Sequence, residues 1–109
     1  MPKTVAQTSF LFLSSLIFIA LSGCVVPPTP YEEYTLARAA IQAAKDVDSA
    51  RFSSGLWHRA EESFRSGEKA WKNREFGEAK KLFERATLYA ERAENSTRLK
   101  KFKSGDSFP

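Results

Sequence analysis

The residues that could do chemistry in this 109-residue chain are few and widely spaced. Cys24 is the only cysteine and His58 the only histidine, whereas a zinc site usually draws several ligands from these two types. Glu61 and Glu62 are adjacent, so their side chains diverge on a helix instead of forming a carboxylate pair. We therefore expect no enzyme, no metal site and no bound cofactor, and we expect His58 to be an exposed helix residue.

The context of Cys24 predicts a covalent modification. It closes the tetrapeptide Leu21-Ser22-Gly23-Cys24, which follows an uncharged apolar run from Phe10 to Leu21, with Lys3 before it. A positive start, an apolar run and small residues are the three parts of an export signal. Gly23 adds no side chain beside the cleavage site, and the thiolate of Cys24 can take a diacylglyceryl group.

This tetrapeptide looks like a bacterial lipobox. It predicts that residues 1–23 are a signal peptide that is removed, and that Cys24 becomes the lipidated first residue of a lipoprotein. Two or more acyl chains (palmitate, for example) anchor a protein stably, because each buried methylene contributes about 0.8 kcal/mol. Val25 follows the cysteine where an aspartate would favour the inner membrane, so we expect the periplasmic face of a Gram-negative outer membrane.

Two other interpretations of the leader stay open. It could be an uncleaved membrane anchor, although the stretch from Phe10 to Val26 is shorter than the roughly 20 apolar residues of a membrane span. It could also be an ordinary secretory signal in which the cysteine is incidental.

The residues after Cys24 predict a spacer. Three prolines in Val25–Pro30 disfavour helix, so residues 24–30 are expected to form an extended tether. Removing Lys3 with the leader leaves 16 basic and 13 acidic residues, a net charge of +3. This mild excess, on an exported chain, does not favour nucleic-acid binding.

From Tyr31 onward, apolar residues recur at three- and four-residue steps, which predicts an all-α domain over residues 31–103 and a disordered tail over residues 104–109. The expected helices span Glu32–Ala50, Ser54–Lys72 and Glu75–Lys101 and form a small antiparallel bundle.

The predicted breaks between helices have turn residues. Phe52–Gly55 offers serines as helix N-caps, and Asn73 is suited to the left-handed conformation that ends a helix. The short first break predicts that the second helix folds back on the first, the alternative being one bent helix through Ser53.

Each predicted helix has one stripe of rings and small residues that should form the core. Gly67 costs about 1 kcal/mol in a helix interior relative to alanine, so we expect another helix to approach closely there. The stripes comprise Ala37, Ala40, Ile41, Ala44 and Val47; Trp57, Ala60, Phe64, Gly67 and Trp71; and Phe76, Ala79, Phe83, Ala86, Ala90 and Ala93.

Two resemblances follow from these residues. The stretch Ala70–Ala79, with Phe83 and Ala86 after it, resembles one tetratricopeptide-type helical hairpin, with Arg74 where that motif prefers glycine. Tyr31–Lys101 resembles a family of alanine-rich bacterial lipoproteins that is classed as a domain of unknown function. The family implies a helical periplasmic domain and no activity.

The sequence leaves the partner unnamed. We expect a structural or scaffolding element that contacts the membrane through acylated Cys24 and binds another envelope protein or a second copy of itself. One alternative is a groove for a peptide or helix around Trp57, Trp71 and Tyr89. Another is contact with peptidoglycan or lipopolysaccharide through the basic tail residues, which are Arg98, Lys100, Lys101 and Lys103.

Overall fold

The computed structural model describes residues 8–14, 23 and 27–105. Residues 8–14 are helical, and four further helices follow the tether prolines: α1 (Tyr31–Asp46), α2 (Ser49–Phe52), α3 (Ser54–Lys72) and α4 (Phe76–Lys103). Helices account for 85% of the described residues, and none of these residues lies in a strand. The all-α prediction is confirmed.

The three long helices run up, down and up. Tyr34 near the start of α1 contacts Trp71 near the end of α3, whereas Ala44 near the end of α1 shares a core cluster with Trp57 near the start of α3. Helix α4 packs along both and runs parallel to α1, since Glu33 pairs with Lys80 near its start. The predicted antiparallel bundle of about three helices is confirmed.

The bundle therefore has two different ends, which we name by their residues. The tyrosine end contains Tyr31, Tyr34 and the turn between α3 and α4. The serine end contains Ser49, Ser53 and the last turns of α4. Helix α4 has 28 residues and so extends about 42 Å between them.

The first helix is shorter than predicted. It ends at Asp46, because Asp48 takes a left-handed backbone conformation (φ 67°, ψ 41°) that aspartate tolerates better than most residues. The single turn of α2 follows, and Ser53 (φ −138°, ψ 48°) separates it from α3. The predicted fold-back of the second helix is confirmed, and the single bent helix through Ser53 is wrong.

Two details of the predicted breaks are also wrong. Ser53 occupies the N-cap position of α3, but its side chain makes no capping hydrogen bond. Asn73 has an ordinary φ of −81°, and the left-handed residue of the α3–α4 turn is Arg74 (φ 60°). The chain reverses there in spite of the energetic cost of this conformation to a residue with a Cβ. Helix α4 then begins at Phe76 and ends at Lys103, so the predicted Glu75–Lys101 is shifted by one or two residues.

Most residues of the predicted stripes form the core, in two clusters, whereas Phe76 is only half-buried and belongs to neither. One cluster lies toward the tyrosine end and the other toward the serine end. Each contains two fully buried alanines of α4. The buried members of the first are Ala37, Ala70, Ala79, Phe83 and Ala86, and those of the second are Ala44, Trp57, Ala60, Ala90 and Ala93.

Gly67 is a point of close approach between α3 and α4. A Cβ placed on Gly67 would lie 2.7 Å from Cε1 and 2.8 Å from Cδ1 of Phe83, whose ring is fully buried. These distances are shorter than van der Waals contact, so any side chain at position 67 would force the Phe83 ring or the helices to shift. The predicted close approach at Gly67 is confirmed.

The chain enters the bundle at the tyrosine end. Pro27–Thr29 are exposed and have no regular secondary structure, whereas Pro30 is buried and its carbonyl accepts a hydrogen bond of 3.0 Å from the Tyr34 N–H. At the other end of the domain, Ser104 and Gly105 form a turn after α4. Residues 106–109 of the predicted tail lie outside the described residues.

Candidate functional site

Five aromatic rings meet at the tyrosine end. Tyr31 and Tyr34 both contact Trp71 edge-on, with ring centroids 4.9 Å and 5.4 Å away. Tyr34 also stacks on Phe64 at 5.5 Å and meets Phe83 edge-on at 5.4 Å. Such pairs contribute about 0.5–1.5 kcal/mol each beyond the area that they bury.

The helix repeat brings these rings together. Phe64 and Trp71 lie seven residues apart on α3 and therefore share a face, while Tyr31 and Tyr34 lie in the first turn of α1. Phe83 on α4 fills the space beside Gly67 between them. The side chains of Phe64, Trp71 and Tyr34 remain only half-buried, and that of Tyr31 is 65% exposed.

The exposed part of this ring cluster forms an open depression of 360 Å³. Its lining is mostly apolar, and the two charged residues in it, Glu68 and Lys72, have opposite signs. Such a surface can bind a ligand or partner that has an apolar part for the rings and charged or polar groups for Glu68 and Lys72. The depression is lined by Tyr31, Tyr34, Glu68, Trp71 and Lys72.

An ion pair joins α1 to α4 beside the ring cluster. The ammonium of Lys80 lies 3.2 Å from a carboxylate oxygen of Glu33. A hydrogen bond from the Glu33 backbone N–H in the first turn of α1, together with Lys80, holds the pKa of the Glu33 carboxyl below its ordinary value, against a smaller opposing effect of burial.

The serine end is held by buried hydroxyl groups. Thr97 Oγ1 of α4 lies 3.0 Å from Ser49 Oγ and 3.0 Å from Ser53 Oγ. All three residues are buried, and every buried polar side-chain atom of the described residues has a partner. This hydroxyl cluster ties the α1–α3 connection to α4.

The basic residues near the end of α4 are partly engaged in this connection. Lys100 donates a 2.6 Å hydrogen bond to the backbone carbonyl of Phe52, and the Lys101 ammonium lies 5.2 Å from the centroid of the Phe52 ring. Arg98 pairs with Glu94 at 2.8 Å. Lys103 is exposed in the last turn.

The three aromatic residues expected to form a peptide groove do not share one surface. Trp57 is buried in the cluster toward the serine end, and the half-buried Tyr89 packs against the same cluster. Trp71 lies in the other cluster, 14 residues later on α3 and therefore about 21 Å along the helix. Only Trp71 contributes to the ring cluster.

Most of the residues predicted for lipidation and signal cleavage are not among those that the structure describes. Leu21, Ser22 and Cys24 lie outside the described residues. Gly23 is described, and it is exposed with no regular secondary structure. Within residues 8–14, 23 and 27–105, none of the helices has the length and apolar character of a membrane-spanning helix.

The other residues weighed for chemistry lie on helix surfaces. His58 and Glu62 are exposed, and Glu61 lies 3.5 Å from Arg65 in an ion pair. The described part of the chain holds no cluster of three or more histidine, cysteine or acidic residues suited to a metal ion.

The sequence did not predict the roles of Tyr31 and Tyr34 or the hydroxyl cluster. Tyr34 lies three residues before Ala37, and Thr97 lies four residues after Ala93, so both continue predicted core stripes. The helical repeat could have found these two. It could not have found their partners, because Ser49 lies 48 residues from Thr97 in the chain.

The fold defines a small all-α bundle protein, and a comparison with protein families places it more narrowly. The family model described as "Domain of unknown function (DUF4398)" matches residues 32–104, which include nearly all of the three-helix bundle. The chain belongs to this family, and the expectation of a family of unknown function is confirmed. No curated protein and no solved structure matches the chain.

Proposed function

We propose that the protein is a lipid-anchored, non-enzymatic structural element of the bacterial cell envelope. In this proposal acylated Cys24 holds it to the periplasmic face of the outer membrane of a Gram-negative cell. The helical bundle then presents a surface to another envelope protein or to a second copy of the chain. The leader and the tetrapeptide Leu21-Ser22-Gly23-Cys24 support the anchor.

The direction in which the tether enters the bundle supports a role in spacing, in which the protein holds a partner at a distance from the membrane. Pro27–Pro30 lead into the tyrosine end, and α4 places the serine end about 42 Å away. Three helices joined by short connections and two core clusters make a stiff unit. An anchor before Pro27 would therefore hold one end near the membrane and extend the other into the periplasm.

Labelled palmitate tests the anchor. We expect the label to enter the wild-type protein and to be absent from a Cys24→Ser variant, which should also leave the membrane fraction. Equal labelling of the two proteins, or labelling of neither, would contradict the proposal.

The proposal has two forms, which differ in whether the bundle binds a second copy of the chain or another envelope protein. If the partner is a second copy, the full-length protein should sediment above the monomer mass, and dilution should lower its melting temperature. If the partner is another protein, crosslinkers placed on the exposed faces of α1 and α4 should capture one defined envelope component in cells. A monomer that forms no crosslinked product would contradict a scaffolding role.

A second candidate function is contact with an anionic polymer such as peptidoglycan or lipopolysaccharide through the serine end. Its support is the group Lys100, Lys101 and Lys103 beside Phe102, which is 75% exposed. Deleting this segment would remove the bond from Lys100 to the Phe52 carbonyl and disturb the fold.

The sharper test is the double variant Lys101→Gln with Lys103→Gln. It should weaken sedimentation with cell-wall preparations, and wild-type binding should fall steeply with salt. A Lys80→Gln variant at the tyrosine end is the matched control. Equal binding by all three proteins would contradict this candidate.

A further inference from the structure

The exposed rings of the tyrosine end lie where the chain enters the bundle. Tyr31 is the first residue of α1, is 65% exposed and packs edge-on against Trp71, 4.9 Å away. These rings open into the depression of 360 Å³, so part of the aromatic surface faces outward. Burying a ring side chain in an apolar environment is favourable, and this surface therefore gains free energy from any apolar environment that meets it.

The length of chain before Tyr31 limits what can meet it. Six residues, Val25–Pro30, separate Tyr31 from Cys24. Even a fully extended chain keeps Tyr31 within about 25 Å of an acylated cysteine. The tyrosine end is thus the part of the bundle held closest to the membrane, whereas the serine end lies about 42 Å farther along α4.

The side chains of this end match the boundary between lipid and water. Tyrosine and tryptophan collect at that boundary, because an apolar ring body can enter the lipid while the polar tip stays hydrated. Lys72 can lay its methylene stem along the rings and keep its ammonium among the phosphates. Glu68, at the same depression, offers a carboxylate to a headgroup ammonium.

The charge balance selects the kind of lipid surface. One acidic and one basic residue line the depression, which matches zwitterionic headgroups with one charge of each sign. The serine end differs, because three lysines lie within four residues there. A strongly anionic surface would favour the serine end and not the tyrosine end.

We infer that the ring surface of Tyr31, Tyr34 and Trp71 is a membrane-contact site that rests among the zwitterionic headgroups of the anchoring leaflet. The inference depends on the proposed anchor at Cys24. It adds that the bundle itself contacts the lipid and that the tyrosine end makes this contact. The tether then holds the bundle against the membrane instead of letting it swing freely.

Brominated lipids test this contact, because bromine quenches tryptophan fluorescence only at short range. The mature, acylated full-length protein is placed in vesicles of phosphatidylethanolamine and phosphatidylcholine, with or without bromine on the acyl carbons nearest the headgroups. Trp57→Phe leaves Trp71 as the reporter, and Trp71→Phe leaves the buried Trp57 as the matched control.

We expect brominated lipid to lower the Trp71 emission about twofold or more and to leave the Trp57 emission unchanged, since interfacial tryptophans lie at headgroup level. If Trp57→Phe fails to fold, the comparison of wild type with Trp71→Phe gives the same answer. Quenching should then occur in the first protein and be lost in the second.

Failure of this inference and failure of the anchor are distinguishable. A protein that takes up palmitate and remains with the vesicles, but whose Trp71 is not quenched, would overturn the membrane contact alone. Trp71 emission that responds to a water-soluble envelope protein and not to brominated lipid would assign the depression to a protein partner and would also overturn it.

Discussion

The tyrosine end and the serine end hold the same three helices together in different ways. At the tyrosine end, five rings fill the space between helices, and Gly67 lets the Phe83 ring approach the α3 backbone. At the serine end, alanines let the helices approach, and the hydroxyl groups of Ser49, Ser53 and Thr97 join them.

This difference decides what each end shows to its surroundings. Rings that are too large to be fully buried leave an apolar surface outside, as Tyr31 does. The hydroxyls of the serine end are satisfied inside the bundle, and the last turns of α4 expose Lys100 and Lys103 together with Phe102, which is 75% exposed. A small domain can therefore present unlike surfaces at its two ends, an aromatic depression at one and a basic segment at the other.

The largest effect should come from removing the central ring of the tyrosine end. Phe83→Ala should lower the free energy of unfolding by about 3–5 kcal/mol, because the fully buried ring contacts Tyr34, Phe64 and Trp71. Urea denaturation of the full-length protein measures this change, with Phe83→Leu as a milder variant if the alanine variant is unfolded.

Phe102→Ala is the matched control for this prediction, because Phe102 is on the same helix and 75% exposed. It should change the free energy of unfolding by no more than about 0.5 kcal/mol. Equal losses from the two substitutions would show that Phe83 does not have the central role assigned to it.

The corresponding change at the serine end should be smaller. Thr97→Val keeps the shape of the side chain but leaves the buried hydroxyls of Ser49 and Ser53 without their threonine partner. We expect a loss of about 1–3 kcal/mol in the free energy of unfolding. Amide hydrogen exchange should localise the loosening to α2 and the last turns of α4.

Thr87→Val provides the control on the same helix. The Thr87 hydroxyl donates only a local bond of 3.1 Å to the Phe83 carbonyl, one turn earlier, so its removal should have little effect. A Thr97→Val protein as stable as Thr87→Val would contradict the contribution of the hydroxyl cluster.

The substitution Gly67→Ala, which adds one methyl group, tests how tightly α3 and α4 pack at the tyrosine end. Overpacking against the Phe83 ring costs about 1–3 kcal/mol, and the better helix propensity of alanine returns about 1 kcal/mol. We therefore expect Gly67→Ala to lower the free energy of unfolding by up to about 2 kcal/mol, again measured by urea denaturation.

Gly55→Ala should have the opposite sign. No atom lies within 4 Å of a Cβ placed on Gly55, so the substitution should stabilise the protein by about 0.4–1 kcal/mol. A gain in stability from both substitutions would contradict the close approach of α3 and α4 at Gly67.

The smallest effect should be the pH dependence due to Glu33, whose carboxylate accepts a hydrogen bond from its own backbone N–H and pairs with Lys80. The lowered pKa of Glu33 means that the carboxylate stabilises the folded protein above its unfolded pKa. That contribution is lost as the pH falls through the folded-state pKa. Partly exposed pairs contribute about 0.2–1 kcal/mol, so the melting temperature of Glu33→Gln should lie slightly below that of wild type at neutral pH.

Below the folded-state pKa of Glu33 the two melting temperatures should converge. Thermal unfolding followed by circular dichroism from neutral to acidic pH measures the difference. A difference that grows as the pH falls would contradict the assigned direction of the pKa shift.

The core could be predicted from the sequence because it depends on a local repeat. Ala37, Ala44, Phe83 and the other members of the stripes recur at helical spacing, and burial follows that spacing. The glycine at position 67 was informative for a similar reason, since a glycine inside a helix is costly without a close neighbour.

The features that sequence reasoning missed depend on contacts between distant segments. Ser53 was expected to cap α3, but its hydroxyl bonds instead to Thr97, 44 residues later. Asp48 and Arg74 have positive φ values because the chain must reverse at points set by the packing of whole helices. The depression at the tyrosine end depends on Tyr31 meeting Trp71, a contact between helices that no single stripe specifies.

The central claim is that a lipid at Cys24 anchors this bundle by its tyrosine end. The most direct measurement is the intact mass of the full-length gene product after purification from cell membranes. We predict the mass of a chain that begins at Cys24 and carries a diacylglyceryl group with or without a further acyl chain. A mass that includes residues 1–23, or that of a chain beginning at Cys24 without lipid, would contradict the account.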